Sequence, residues 1–212
     1  MSDNLTIDDT ATRWSPGDRE RMPLLVLLHG YGADENDLFG LVPYLPDGLA
    51  VASVAAPLSP PWPMPGRSWY PIDGLDGRDA THVTAAAEAL LRWLDTTGAA
   101  RIALLGFSQG AAVSLQVLRL APERIGAVVA LSGYATPGDL PHDAELTRLR
   151  RPVFWGRGTH DDVIPQHLIA HTADWLPAHS ELAGRVYTGL THSISEEELH
   201  DVKQFLTRWL ER

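Results

Sequence analysis

Arg101-Ile102-Ala103-Leu104-Leu105-Gly106-Phe107-Ser108-Gln109-Gly110-Ala111-Ala112 runs from an apolar stretch, through a serine framed by glycines, into a row of small residues. An unbroken apolar run without alternation suits a strand covered on both faces, as in a parallel sheet. Residues 109–121 begin with small side chains, continue with Leu115 and Leu118, and meet Pro122 just beyond, which predicts a helix. Ser108 therefore stands on a sharp turn between a strand and a helix. Side chains at Gly106 and Gly110 would collide with the neighbouring strand and helix, and Ala111 and Ala112 prolong the small surface.

Similar apolar runs recur outward from this point: 24–28 (LLVLL), 51–56 (VASVAA), 127–131 (AVVAL), 152–155 (PVFW) and, weakest, 185–187 (RVY). Helical patterns fill the gaps. Residues 79–97 place Val83, Ala86, Ala87, Leu90, Leu91 and Leu94 at intervals of three and four, with Gly98 at the C-terminal cap position. A shorter pattern covers 166–176. The last helix opens on a capping box, Ser195 with Glu198, and carries the stripe Leu199, Val202, Phe205, Leu206, Trp209 and Leu210. This alternation predicts an α/β fold, a mainly parallel sheet with helices on both faces. Residues 57–71 hold six prolines interleaved with Trp62, Trp69 and Tyr70, so they read as an ordered loop lying on the domain.

The 212 residues are 44% hydrophobic and 21% charged, within the globular range. Residues 1–20 read as a polar segment, packed on the domain or in part disordered, and 21–212 as one domain. Lys plus Arg is 17 against 27 Asp plus Glu, a net charge of −10 that repels phosphate backbones and anionic lipid. Nucleic acid is thus excluded as a first partner. With no cysteine there are no disulfides, thiolate metal sites or thiol nucleophiles. No run approaches the roughly 18 to 20 apolar residues that span a bilayer, so stable membrane insertion is not expected. The N-terminus is acidic rather than basic then apolar, and the chain reads as cytoplasmic.

A glycine-framed serine on a strand-turn-helix junction is the setting of a nucleophile elbow. A serine hydroxyl needs a base to take its proton, and the base needs an acid to orient it. In this arrangement the acid and then the histidine follow the serine, each beyond a later strand. Asp161 follows the run 152–155, and His192 follows the run 185–187 just ahead of the last helix. The oxyanion that forms on attack needs two donors. They are expected from the N–H of Gln109 and, in the loop His29-Gly30-Tyr31-Gly32, the N–H of Tyr31, with Gly30 and Gly32 letting the backbone approach.

At these positions the chain resembles the carboxylesterase and lysophospholipase family of α/β-hydrolases, whose eukaryotic members include acyl-protein thioesterases. Leu28-His29-Gly30-Tyr31-Gly32-Ala33-Asp34 is similar to the family's L-H-G-x-G-x-D, and Trp69-Tyr70-Pro71-Ile72 to its W-[FY]-D-I. Gly106 to Ala111 match G-F-S-Q-G-[AG], Asp161 to Pro165 resemble D-x-x-V-P, and His192-Ser193 the H-[ST] pair. The resemblance runs from about residue 23 to 212. It implies the α/β-hydrolase fold and a carboxylesterase acting through an acyl-enzyme, with Ser108, Asp161 and His192 as triad and no metal or organic cofactor. Pro71 stands where the family has an acidic residue, so a contact there is not carried over. Asp161 and Asp162 compete for the acid's role, and the alignment selects Asp161.

Trp69, Phe107 and Gly30 are the candidates for the substrate pocket. His29 is expected to hold the oxyanion loop by hydrogen bonds, and the remaining histidines read as surface residues. Only residues 132–150 occupy the place where this fold commonly inserts a lid, too short for a large lid domain. An open site favours small to medium esters, so the partner expected is a small-molecule ester; a homodimer is compatible with the sequence. The alternatives are an acyl-protein thioesterase or lysophospholipase and, on the same scaffold, a ligand-binding protein without catalysis.

Overall fold

The computed structural model describes residues 5–19, 21–72 and 79–212. Residues 1–4 and 20 of the polar N-terminal segment lie outside the described residues. Seven strands form one sheet: β1 Arg13–Trp14, β2 Leu24–Leu28, β3 Ala50–Val54, β4 Ile102–Phe107, β5 Ile125–Leu131, β6 Pro152–Gly158 and β7 Glu181–Tyr187. Their order is β1-β3-β2-β4-β5-β6-β7. All neighbours are parallel except β1, whose Arg13 and Trp14 face Ser53 and Ala52 of β3 in antiparallel register. The helices described are α1 Ala80–Thr97, α2 Gln109–Leu120, α3 Asp143–Leu149, α4 Gln166–His179 and α5 Glu196–Leu210.

Two apolar layers explain the unbroken runs. Leu24, Val26 and Leu28 of β2 join the core shared with α1, α2, α3 and α4, whereas Leu25 and Leu27 join the core shared with α5. Every residue of β2 is buried, and each such leucine contributes roughly 1.5–3 kcal/mol by leaving water. Helix ends follow local chemistry. Asp79 accepts the Thr81 N–H at 2.8 Å, and Gly98 ends α1 in the left-handed region at φ 66°.

Four features depart from the sequence reading. β1 is a two-residue edge strand within the N-terminal segment. The acidic stretch Asp34, Glu35 and Asp37, which as a run of carboxylates at a helix start would suggest an α-helix, leads into a 3-10 segment, Leu38–Tyr44; Pro43 lies inside it and cannot donate to an α-helical ladder. Within residues 132–150 the short helix α3 forms, tied down by buried Arg119, which donates to Asp143 at 2.7 and 2.9 Å and to the carbonyls of Thr136 and Gly138. The capping box of α5 is half made. Ser195 Oγ accepts the Glu198 N–H at 3.1 Å, but neither Glu198 carboxylate oxygen has a hydrogen-bond partner among the described residues. That side chain enters the core against Gly156, where a Cβ would overlap it.

Residues 57–71 double back along the loop that follows β2. Leu58 and Ser68 form an antiparallel bridge, the Gly32 N–H donates to the Arg67 carbonyl at 2.9 Å, and the Arg67 N–H donates to the Ala33 carbonyl at 2.7 Å. No helix among the described residues is long and apolar enough to cross a membrane.

Candidate active site

The carboxyl ends of β2, β4, β6 and β7 open on one crevice, the place where α/β sheets bind ligands. Ser108 joins β4 to α2 with φ 55° and ψ −113°, a conformation that costs a non-glycine residue roughly 1–3 kcal/mol. Its N–H donates to the Leu131 carbonyl at 2.9 Å, which ties the turn to β5. A Cβ on Gly106 would overlap the Gly110 carbonyl, and one on Gly110 the Leu28 carbonyl, so the turn closes only with glycine at both places. The strain is held by this close packing and presents the hydroxyl at the rim of the crevice, where Ser108 is 8% exposed.

Asp161 and His192 arrive from the loops after β6 and β7. The His192 Nδ1 lies 2.8 Å from Asp161 Oδ2. A carboxylate only accepts, so Nδ1 carries the proton, and in the neutral imidazole Nε2 is then the nitrogen with the lone pair a base requires. Asp161 Oδ1 accepts the N–H groups of Val163 and Ile164 at 3.0 and 3.2 Å, which fixes the carboxylate's plane. Burial pushes the Asp161 carboxyl up, but the hydrogen bond and charge of His192 with the two N–H groups outweigh it and hold it below the usual carboxylate range. Asp162 is exposed and Asp161 is 5% exposed, so Asp161 is the carboxylate that meets the imidazole.

Ser108 and His192 line one cavity of about 240 Å³ together with Gly30, Tyr31, Phe107 and Gln109. The Phe107 ring packs against the His192 ring at 4.9 Å between centroids. Gly30 touches both elements at once: a Cβ there would lie 3.1 Å from the Phe107 ring and 3.6 Å from Ser108 Cβ. No protein acceptor among the described residues takes the N–H of Tyr31 or of Gln109. Gln109 opens α2, where helix N–H groups and the dipole favour negative charge. His29 is fully buried, its Nδ1 donates to the Gly30 carbonyl at 2.8 Å, and its Nε2 accepts the Ala56 N–H at 3.1 Å. Burial lowers its pKa, so it stays neutral in the tautomer this pairing needs.

Trp69, expected at the pocket, is placed elsewhere. It is fully buried behind the cavity, with its indole N–H donating to the His29 carbonyl at 2.9 Å. The pocket's other walls are Ala33, Asp37, Tyr70, Ile72, Tyr134, Val163 and Ile164, none of which the sequence reading marks as a pocket residue. Tyr70 and Tyr134 meet hydroxyl to hydroxyl at 2.7 Å. Tyr70 and Ile72 sit in the quoted W-[FY]-D-I-like segment and Val163 and Ile164 beside the acid, so a local signal existed for those four. Tyr134 has none, because only the packing of the loop after β5 brings it in.

A larger cavity, about 600 Å³, lies at the opposite end of the sheet and holds five arginines. Three of them serve helix ends. Arg101 donates to the carbonyls of Trp209 and Leu210, Arg150 to those of Pro177, Ala178 and Ser180, and Arg151 to those of Pro122 and Glu123. Cations at helix C-termini are stabilising in themselves.

A mostly parallel sheet in this order, with a serine on a strained turn ahead of the central helix, defines an α/β-hydrolase. The sequence pattern of the family described as Phospholipase/Carboxylesterase matches residues 12–210, and the chain belongs to that family. Acyl-protein thioesterase 1 of Debaryomyces hansenii is 37% identical over 109 residues, covering 50% of this chain and 47% of the relative. The chain spans about half the length of the curated relatives it matches. Esterase PE8 superposes with a TM-score of 0.77 at 26% identity, over 96% of this chain and 99% of that one. The Bacillus cereus carboxylesterase, with a TM-score of 0.82 at 17% identity over 97% and 96%, shares the fold.

Proposed function

We propose that this protein is a serine hydrolase that cleaves carboxylic esters of small to medium acyl groups through an acyl-enzyme. The single observation that carries this reading is the 2.8 Å contact of Asp161 with His192 Nδ1, across one cavity from Ser108. His192 Nε2 takes the Ser108 proton as Oγ attacks the ester carbonyl. The carbonyl oxygen becomes an alkoxide between the N–H groups of Tyr31 and Gln109. Collapse breaks the C–O bond, and the His192 proton passes to the leaving alcohol. Water then repeats the attack on the acyl-enzyme, and the acid leaves. Loss of one alkoxide donor typically costs ~2.7–4 kcal/mol of barrier.

The mainly apolar walls at Ile72, Phe107, Val163 and Ile164 favour an acyl chain over a polar substituent, and about 240 Å³ suits a short or medium one. A series of p-nitrophenyl esters of increasing chain length, run on wild type and Ser108→Ala, tests the reading. Turnover is expected to peak at short to medium chains and to vanish in Ser108→Ala with the fold intact. Substantial turnover by that variant contradicts it. A second reading, thioester cleavage on acylated protein, is supported by the names of the relatives above; comparing matched ester and thioester substrates separates the two.

A further inference from the structure

The two donors proposed for the alkoxide sit on different elements. Tyr31 belongs to the loop after β2, and Gln109 to the start of α2. Their distance is not set by either element alone, yet an oxyanion pocket works only when both N–H groups converge on one point within a few tenths of an ångström. A chain of buried hydrogen bonds joins them through a third segment.

The Gln109 side-chain oxygen accepts the Trp69 backbone N–H at 3.0 Å, and its amide nitrogen donates to the Tyr70 carbonyl at 2.7 Å. Those two bonds fix which way the amide faces. The Trp69 indole N–H then donates to the His29 carbonyl at 2.9 Å, and His29 closes onto the Gly30 carbonyl and the Ala56 N–H. Ser68 adds a hydroxyl bond to the Tyr70 carbonyl at 2.7 Å. His29, Ser68, Trp69, Tyr70 and Gln109 are each at most 3% exposed, so water does not compete for these partners. Gln109 therefore holds one end of the pocket by its backbone and reaches the other end by its side chain.

We infer that the side chains of Trp69 and Gln109 are positioning residues that set the Tyr31 and Gln109 N–H groups in register for the transition-state alkoxide. This rests on the hydrolase reading above. Plain packing would also bury Trp69. It would not need the indole N–H aimed at the carbonyl of the residue that precedes Gly30, nor an amide spanning the gap between two loops. The net also carries Tyr70, whose ring lines the cavity, so the acyl wall and the alkoxide donors share one support.

Trp69→Phe deletes the indole N–H and keeps an aromatic ring; Gln109→Met keeps length and volume and removes both amide bonds. Each is compared with wild type in kcat and KM for a short p-nitrophenyl ester. Melting temperature and two affinities are measured alongside. One is for a trifluoromethyl ketone, which adds Ser108 to form a tetrahedral alkoxide; the other is for the product carboxylic acid, which forms none. The expected result is a fall in kcat of about 10-fold with KM within about 2-fold, and ketone affinity weaker by the same factor as kcat/KM. Product affinity stays near wild type; melting temperature falls by several degrees, because each variant leaves buried backbone groups without a partner, and kinetics are read well below it. If either variant unfolds, the other carries the test. Wild-type kcat and ketone affinity in the folded variants overturn the inference, as does a fall in kcat with ketone affinity unchanged. If wild type itself neither turns over ester nor binds the ketone, the hydrolase reading fails and this inference falls with it.

Discussion

The two sides of the crevice are built on opposite principles. On the serine side, Ser108, Gln109, His29 and Trp69 are held by neutral hydrogen bonds whose donors and acceptors pair off, with glycines at the points of closest approach. On the histidine side carboxyl groups carry the contacts. Asp161 accepts from His192 Nδ1, and at the start of α5 Glu198 is fully buried against Gly156, with neither carboxylate oxygen hydrogen-bonded among the described residues. The serine side resembles a mould, and the histidine side a charge device. A mould fixes where an alkoxide forms, whereas a charge device fixes when a proton moves. The proposed reaction needs both.

The sharpest way to break this contrast is to neutralise the acid without changing its shape. Asp161→Asn is expected to lower kcat by roughly 10³–10⁴, because an amide in that place no longer selects the imidazole tautomer with its lone pair toward Ser108. Asp162→Asn, one residue along and exposed, is expected to leave kcat within about 2-fold. Steady-state kinetics on the same ester series reads both, and equal effects would erase the distinction between the two carboxylates.

A smaller effect, in stability rather than rate, concerns Glu198. Burial pushes its carboxyl up to about 7 from the ordinary 4.5; the neighbouring Ser195 N–H favours the charged form, and Asp201 opposes it. Between those values the unfolded chain has already released the proton that the folded chain still holds. Stability is thus full below about pH 4.5 and is lost as pH rises to about 7, by up to about 3 kcal/mol. Glu198→Gln removes that ionisation. Urea unfolding is expected to show the variant more stable than wild type at pH 8, with the advantage gone by pH 4.5. An equal difference at both pH values would show that burial does not raise the Glu198 carboxyl.

What the sequence disclosed, and what it hid, follows the same division between local and distant. Strands such as Leu24–Leu28 are legible because both faces are covered and no polar residue interrupts them. β1 is not, since two residues at the sheet's edge owe their pairing to β3 and leave no run to read. α3 owes its place to Arg119 from another helix and to one buried leucine, Leu146. At the site, Ser108, Asp161 and His192 each follow a strand in chain order, so their positions carry a local signature. Trp69 shows the limit of such signatures. Its neighbours mark it as close to the pocket, but the side to which an indole turns depends on the carbonyl it finds, here that of His29, forty residues away in the chain. Glu198 shows the same limit. The spacing from Ser195 announces a capping box, but that the carboxylate is also buried against Gly156, on a different element, is not written in that spacing.

The most direct test of the account is to treat the intact protein with a fluorophosphonate, digest it, and map the adduct by mass spectrometry. The account predicts a single adduct on Ser108 in wild type. An adduct on any other residue instead, or no adduct on a folded protein, would contradict it.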